Sequence, residues 1–306
     1  MNTNKVVMAG AGTMGASLAQ VYAQAGWDTV LYNRSDSGLK RAKNLIEVNQ
    51  AVFVKEGILE ESHSKALVTG KEDFRDAALV VESIVENLDA KRAFWEEISE
   101  IAPVEALFAT NTSGLKITEI AKVCKYPERF MGQHWLNPPH LLPLCEIIAG
   151  EKTSQENVQK MRKLVEGLGK RPVVVADING FIINRIQFAV LREALHIVDI
   201  GAATIEDVDT VLKAGMGLRY AALGPFGVAD FGGLDTFDHI NTYLNAELDD
   251  SKVGNKRLHE MVEAGKLGVK SGQGFYDYSG DKADEAIRER DRMYIELAKV
   301  LYFNKK

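Results

Sequence analysis

Six residues near the start of the chain, Gly10-Ala11-Gly12-Thr13-Met14-Gly15, constrain the fold more than any other stretch. They follow an apolar, β-branched run, Val6-Val7-Met8-Ala9, and open a helical pattern that closes near Gly26. In that place the glycines have separate jobs. Gly10 permits a tight turn, Gly12 lets the backbone approach a pyrophosphate, and Gly15 lets helix and strand pack closely. The helix opening at Thr13 and Met14 offers free N–H groups and a positive dipole end to phosphates. A G-x-G-x-x-G motif alone is weak evidence. Between a strand and a helix it predicts a dinucleotide site.

The chain repeats this alternation. Strand-like runs recur at Thr29–Tyr32, Leu79–Val81, Ala106–Ala109, Arg129–Gly132, Leu144–Ile148 and Pro172–Val175, with helical patterns such as Leu88–Ile101 between them. Thr153 and Glu156 read as a capping box opening another helix. The order predicts an α/β fold: a doubly wound, mostly parallel sheet covered on both faces, of the Rossmann type. Beyond Gly180 the pattern is helical: Phe181–Ile200 stopping at Gly201, then Thr204 with Asp207, Asn255–Ala264, and Asp281 to the C-terminus. Two domains are expected, a dinucleotide-binding domain over 1–180 and a smaller all-α domain over 181–306.

Composition narrows the partners. The formal net charge of -6 gives no general attraction to nucleic acid or an anionic membrane, so a polyanionic ligand needs a local feature. The two cysteines, Cys124 and Cys145, have no metal-ligand spacing and no disulfide framework around them, and no metal is expected. The chain runs from Met1 almost directly into its first strand, without a signal-peptide pattern, and no apolar run reaches membrane-spanning length. A soluble protein of a reducing compartment, the cytoplasm, is the expectation.

The second strand bears on cofactor choice. NAD sites usually end it with an acid that binds the ribose 2′-hydroxyl. This chain has Tyr32-Asn33-Arg34-Ser35 there. Arg34 and Ser35 suit a 2′-phosphate, whereas an outward-pointing Arg34 leaves Asn33 to bind an NAD ribose. Both NAD and NADP stay open.

Four polar residues interrupt or follow apolar runs: Ser113, His134, Glu146 and Asn184. Removing hydride from a secondary alcohol requires a group to take the hydroxyl proton, and histidine titrates in the right range. A carboxylate on its other nitrogen fixes the tautomer. Glu146 can supply it if its strand pairs with that of His134 through a turn over Asn137–Pro143. Each residue also has a structural reading. A lone histidine is more often a core residue, Glu146 suits a lysine partner, Ser113 suits a cap for a helix near Ile117, and Asn184 suits a brace between domains.

Taken together these residues resemble the 3-hydroxyacyl-CoA dehydrogenase family. The resemblance is carried by the glycine loop, Val85-Glu86-Asn87-Leu88, Asn111-Thr112-Ser113, His134 with Asn137-Pro138, Pro172–Val175, Gly180-Phe181-Ile182-Ile183-Asn184-Arg185, Gly224-Pro225-Phe226, Gly232-Gly233-Leu234-Asp235 and Lys270–Tyr276. It implies a Rossmann domain and a helical domain that forms most of a homodimer interface. It implies His134 as base and Glu146 as its partner, with Ser113 and Asn184 on the substrate oxygen. Glu86, Lys91, Asn137 and Lys270 match cofactor-contacting positions, and Lys91 and Ser113 match positions near the acyl-CoA.

Departures from the CoA-using pattern matter for substrate. Pro139-His140-Leu141-Leu142-Pro143-Leu144 and Leu218-Arg219-Tyr220 are closer to the branch containing L-gulonate 3-dehydrogenase (lambda-crystallin) and carnitine dehydrogenase. In that branch Arg219 would clamp a free carboxylate; otherwise it is a surface or interface arginine. The expected function is reversible, NAD(P)-dependent oxidation of an L-3-hydroxyacyl-CoA. The alternatives are the same chemistry on a CoA-free 3-hydroxy acid, or a non-catalytic nucleotide-binding structural protein.

Overall fold

A computed structural model describes residues 4–59, 67–68 and 72–303. The chain divides into two compact units, Met1–Asn184 and Arg185–Lys306.

Among the described residues the first unit is built on an eight-stranded sheet: β1 (Lys5–Ala9), β2 (Asp28–Tyr32), β3 (Leu67–Val68), β4 (Leu79–Glu82), β5 (Leu107–Thr110), β6 (Phe130–Trp135), β7 (Leu144–Ala149) and β8 (Arg171–Ala176). Its spatial order is β3-β2-β1-β4-β5-β6-β7-β8. All pairings are parallel except β6 with β7. The expected mostly parallel, doubly wound sheet is present, with one strand more than the sequence reading found, the two-residue β3.

The apolar runs become strands because helices cover both faces of the sheet, so every residue of β1 is buried. Alternate residues serve the two faces. Val6 and Met8 pack with α1 (Thr13–Gln24), α2 (Asp36–Lys55) and α5 (Gln155–Gly167); Val7 and Ala9 pack with α3 (Leu88–Ile101) and α4 (Ile117–Ala121). In α3, Lys91, Trp95 and Ile98 are buried at helical spacing, and Asn87 caps the helix by accepting from Ala90 N at 2.9 Å.

Two expected caps are corrected. α5 is capped by Ser154, whose hydroxyl accepts from Asn157 N, not by a Thr153–Glu156 box. Thr153 instead donates to Phe130 O at 2.6 Å. Ser113 does not cap the helix at Ile117. The Asp177 carboxylate does, accepting from Ile117 N and Thr118 N at 3.0 and 2.8 Å. A carboxylate is the stronger acceptor, and it is delivered by the end of β8, from a distance in sequence that local reading does not reach.

The second unit is helical: α6 (Ile183–Asp199, its first two residues still in the first unit), α7 (Ile205–Val211), α8 (Leu218–Gly232), α9 (Leu234–Leu244), α10 (Lys256–Glu263) and α11 (Lys282–Ala298). Gly201 follows α6 with φ +74°, as expected of a helix stop. α8 is kinked at Gly224, beside Pro225. The helix expected from Asp281 to the C-terminus runs to Ala298 and ends in a π-helical turn, Lys299–Phe303; residues 304–306 lie outside the described residues.

Candidate active site

β6 and β7 carry the centre of the site. Their antiparallel register makes His134 and Glu146 Cα partners, so both side chains leave the same face of the sheet. Both are buried, and His134 Nδ1 lies 2.7 Å from Glu146 Oε2. The other carboxylate oxygen accepts from Ile182 N at 2.9 Å and Ile183 N at 3.0 Å. Burial pushes the Glu146 carboxyl up. The hydrogen bonds from His134 and from the Ile183 and Ile182 amides outweigh it and hold the group below its ordinary value. An ionised Glu146 keeps the neutral imidazole in the Nδ1–H tautomer, which leaves Nε2 as the proton acceptor.

The turn between the two strands is held from below. Lys170 is buried, and its ammonium donates to the carbonyls of Pro139, His140 and Leu142 at 2.7, 3.3 and 3.0 Å. Burial pushes this ammonium down to about 8. Asn137 stands exposed at the head of the turn.

Ser113 lies beyond the carboxyl end of β5, next to β6 in the sheet. It is exposed, and its main chain is fixed on both sides: its N–H donates to Glu86 Oε1 at 2.9 Å, and its carbonyl accepts from Asn184 Nδ2 at 2.8 Å. Thr112 also donates its hydroxyl to Glu86. Asn111 bridges the strands, donating to Ser83 Oγ at 3.1 Å and accepting from Trp135 N at 3.4 Å. Ser113, Asn184 and Glu86 are thus brought together.

Lys91 sits behind this group. Its side chain has no exposure; Nζ donates to the equally buried Glu82 at 2.6 Å and lies 3.5 Å from Glu86. Glu82 further accepts from Ile84 N, Thr110 Oγ1 and Trp95 Nε1 at 2.8, 2.7 and 3.3 Å. The ammonium matched to a cofactor- and acyl-CoA-contacting position is therefore turned inward, toward Glu82.

The glycine loop fits a dinucleotide. Gly10 has φ +112°, and a Cβ there would lie 2.4 Å from Ser83 O; one on Gly15 would lie 1.8 Å from Gly10 O. At Gly12 a Cβ would meet nothing within 4 Å. The helix that Gly12 opens, beginning at Thr13 and Met14, has no side-chain cap, so its N–H groups are available to a pyrophosphate. At the end of β2, Asn33 accepts from Ala11 N at 3.4 Å and donates to Ser35, which ties the strand to the loop. Arg34 is exposed beside it. Arg219 and Lys270 belong to the second unit, where both are exposed, on α8 and on a 3-10 turn over Val269–Ser271.

Two family models match consecutive parts of this chain. The 3-hydroxyacyl-CoA dehydrogenase NAD binding domain covers residues 5–178, and the C-terminal domain of the same family covers 180–278. The chain belongs to the 3-hydroxyacyl-CoA dehydrogenase family. It is an oxidoreductase of the class acting on CH–OH groups, with an NAD(P)-binding first domain. A probable 3-hydroxybutyryl-CoA dehydrogenase of Deinococcus radiodurans is 39% identical over 275 residues, 88% of this chain and 98% of the relative. A 5-formyl-3-hydroxy-2-methylpyridine 4-carboxylate 5-dehydrogenase of Mesorhizobium japonicum is 34% identical over 301 residues, 97% of each chain. A crystal structure of a 5-dehydrogenase of this pyridine carboxylic acid, described as an NAD+-dependent dismutase, superposes with a TM-score of 0.92 at 33% identity, covering 97% of this chain and 98% of that one.

Sequence reasoning did not single out Glu82, Lys170 or Asp177. Glu82 ends an apolar strand, and Lys170 and Asp177 flank one. For Glu82 the available signal was a charge ending a fully buried strand, since such a charge requires a partner.

Proposed function

We propose that this chain catalyses reversible oxidation of an L-3-hydroxyacyl-CoA to the 3-ketoacyl-CoA, with His134 as general base and Glu146 as its partner. The nicotinamide, when bound, supplies the hydride acceptor. His134 takes the hydroxyl proton on Nε2, because Nδ1 is committed to Glu146. The ionised carboxylate then stabilises the imidazolium that forms. Ser113 and Asn184, anchored to each other, offer a hydroxyl and an amide to the substrate oxygen, and such preorganised dipoles favour the transition state. Gly10, Gly12, Thr13, Met14 and Gly15 hold the pyrophosphate; Asn33 and Arg34 face the adenosine ribose; Glu86 and Asn137 complete the cofactor contacts of the first domain, while Lys91, buried against Glu82, acts from behind Glu86. The observation that carries this reading is the buried 2.7 Å His134–Glu146 pair, with His134 on the strand next to the one that leads into Ser113. The Deinococcus relative's name supports the substrate class.

The test is acetoacetyl-CoA reduction with NADH and NADPH side by side. Turnover at ordinary enzyme rates supports the proposal. Failure on acetoacetyl-CoA, alongside turnover of free acids, replaces it with a second reading.

In that second reading the same dyad acts on a CoA-free, carboxylate-bearing alcohol or aldehyde. Near-complete superposition on the pyridine-carboxylate dehydrogenase favours it, as does the Pro139–Leu144 departure.

The absence of a carboxylate at the end of β2 leaves room for NADP as well as NAD, with Arg34 as the 2′-phosphate contact. We further propose a cytoplasmic homodimer. Phe226 and Phe231 of α8 are more than four-fifths exposed in the single chain, a degree of apolar exposure that marks an interface. Cys124 and Cys145 are buried free thiols, consistent with a reducing compartment.

A further inference from the structure

Among the described residues, Phe181 alone combines a side chain with a left-handed backbone, at φ +49°, directly after Gly180 at φ +77°. A bulky residue is uncommon there, and it persists only where its surroundings over-determine it. Here they do. The side chain is fully buried in the cluster containing Ile117, Ile148 and Val175. Its ring centroid lies 5.3 Å from that of His134, the planes inclined at 56°. The amides of the next two residues, Ile182 and Ile183, are those that bind Glu146 Oε1. One residue therefore bears on both halves of the pair, on the imidazole through its ring and on the carboxylate through the direction its backbone gives to those two amides.

We propose that Phe181 is a positioning residue for the His134–Glu146 pair: its ring fixes the imidazole plane, and its left-handed turn aims two amides at the carboxylate. The proposal rests on the reading of His134 as the base. An extended backbone at 181 would swing the following peptide planes away and leave Oε1 of a buried carboxylate unpaired. Glu146 is the charged group that faces the imidazole, from β7; Phe181, Ile182 and Ile183 bring no titratable side chain.

The test uses two variants of equal atom count, Phe181→Leu and Phe181→Ile. Both lose the ring, but a β-branched residue resists the left-handed region more strongly. Loss of imidazole alignment in F181L lowers kcat about tenfold, a fraction of what a well-placed general base contributes. The dinucleotide KM stays within about twofold, because the glycine loop is untouched. F181I falls about a further tenfold as the amides lose their aim. The His134 imidazole, followed by NMR of 13C-histidine-labelled protein and assigned by its absence in His134→Gln, titrates at a displaced pH in both variants. In the wild type, NOEs connect the Phe181 and His134 rings whether or not either variant folds. Wild-type kcat and wild-type His134 titration in F181L would overturn the proposal, as would missing ring–ring NOEs. Equal effects of Leu and Ile would overturn its backbone half. If His134 proves not to be the base, turnover fails to depend on it while the NMR titration still decides what Phe181 does.

Discussion

Glu146 stands directly across the β6–β7 ladder from His134, with 2.7 Å between Oε2 and Nδ1. A strand register, not a loop, sets this distance, so the pair is built into the sheet before any ligand arrives. Replacing Glu146 by Gln keeps the shape and removes the charge that stabilises imidazolium. We expect kcat for oxidation to fall by about 10²–10⁴, the range general acid–base catalysis contributes, with dinucleotide affinity nearly unchanged. Stopped-flow or steady-state oxidation rates check this.

The same carboxyl carries a stability signature. Its value in the folded chain is below the ordinary 4.5, so the folded state binds this proton less readily than the unfolded one. The stabilisation is fully present above about pH 4.5 and is lost as pH falls through the lower, folded value. The gap in thermal midpoint between wild type and E146Q should therefore narrow on acidification from pH 7 to 3. A gap independent of pH would show that Glu146 is not held ionised.

Lys91 and Glu82 form an ion pair with no exposure on either side. Lys91→Met leaves a buried carboxylate without its counter-charge, and should destabilise the first domain by about 3–5 kcal/mol. The double variant E82Q/K91M removes both charges and should recover most of that loss. Urea unfolding of the three proteins measures it.

In the proposed NADP reading Arg34 contacts the 2′-phosphate. Arg34→Ala should weaken NADPH about tenfold through loss of a charge-assisted contact, and leave NADH within about twofold. Fluorescence titration with both dinucleotides decides it; equal effects on the two would assign Arg34 to solvent.

How far the sequence reached depends on the kind of signal each feature left. The parallel sheet was legible because strands buried on both faces are unbroken apolar runs, as in Val6–Ala9, and the glycine loop because Gly10 and Gly15 answer steric demands that Ser83 and Gly10 impose, while Gly12 leaves open space for a ligand. The His134–Glu146 pair was legible only conditionally, since it depended on the Asn137–Pro143 turn reversing the chain. The Asp177 cap on α4 and the Lys170 clamp on three carbonyls were not, because both join residues tens of positions apart with no periodicity between them. Phe181 was visible as part of a motif, but its left-handed backbone was not: glycine advertises that conformation and phenylalanine does not. β3 was missed because two residues carry no pattern.

His134→Gln, assayed for single-turnover hydride transfer and for dinucleotide binding on the same preparation, tests the central claim most directly. The account predicts a fall in transfer of at least about 10²-fold, the share of a general base, with dinucleotide affinity within about twofold of wild type. Transfer at the wild-type rate, or loss of dinucleotide binding together with transfer, would contradict it.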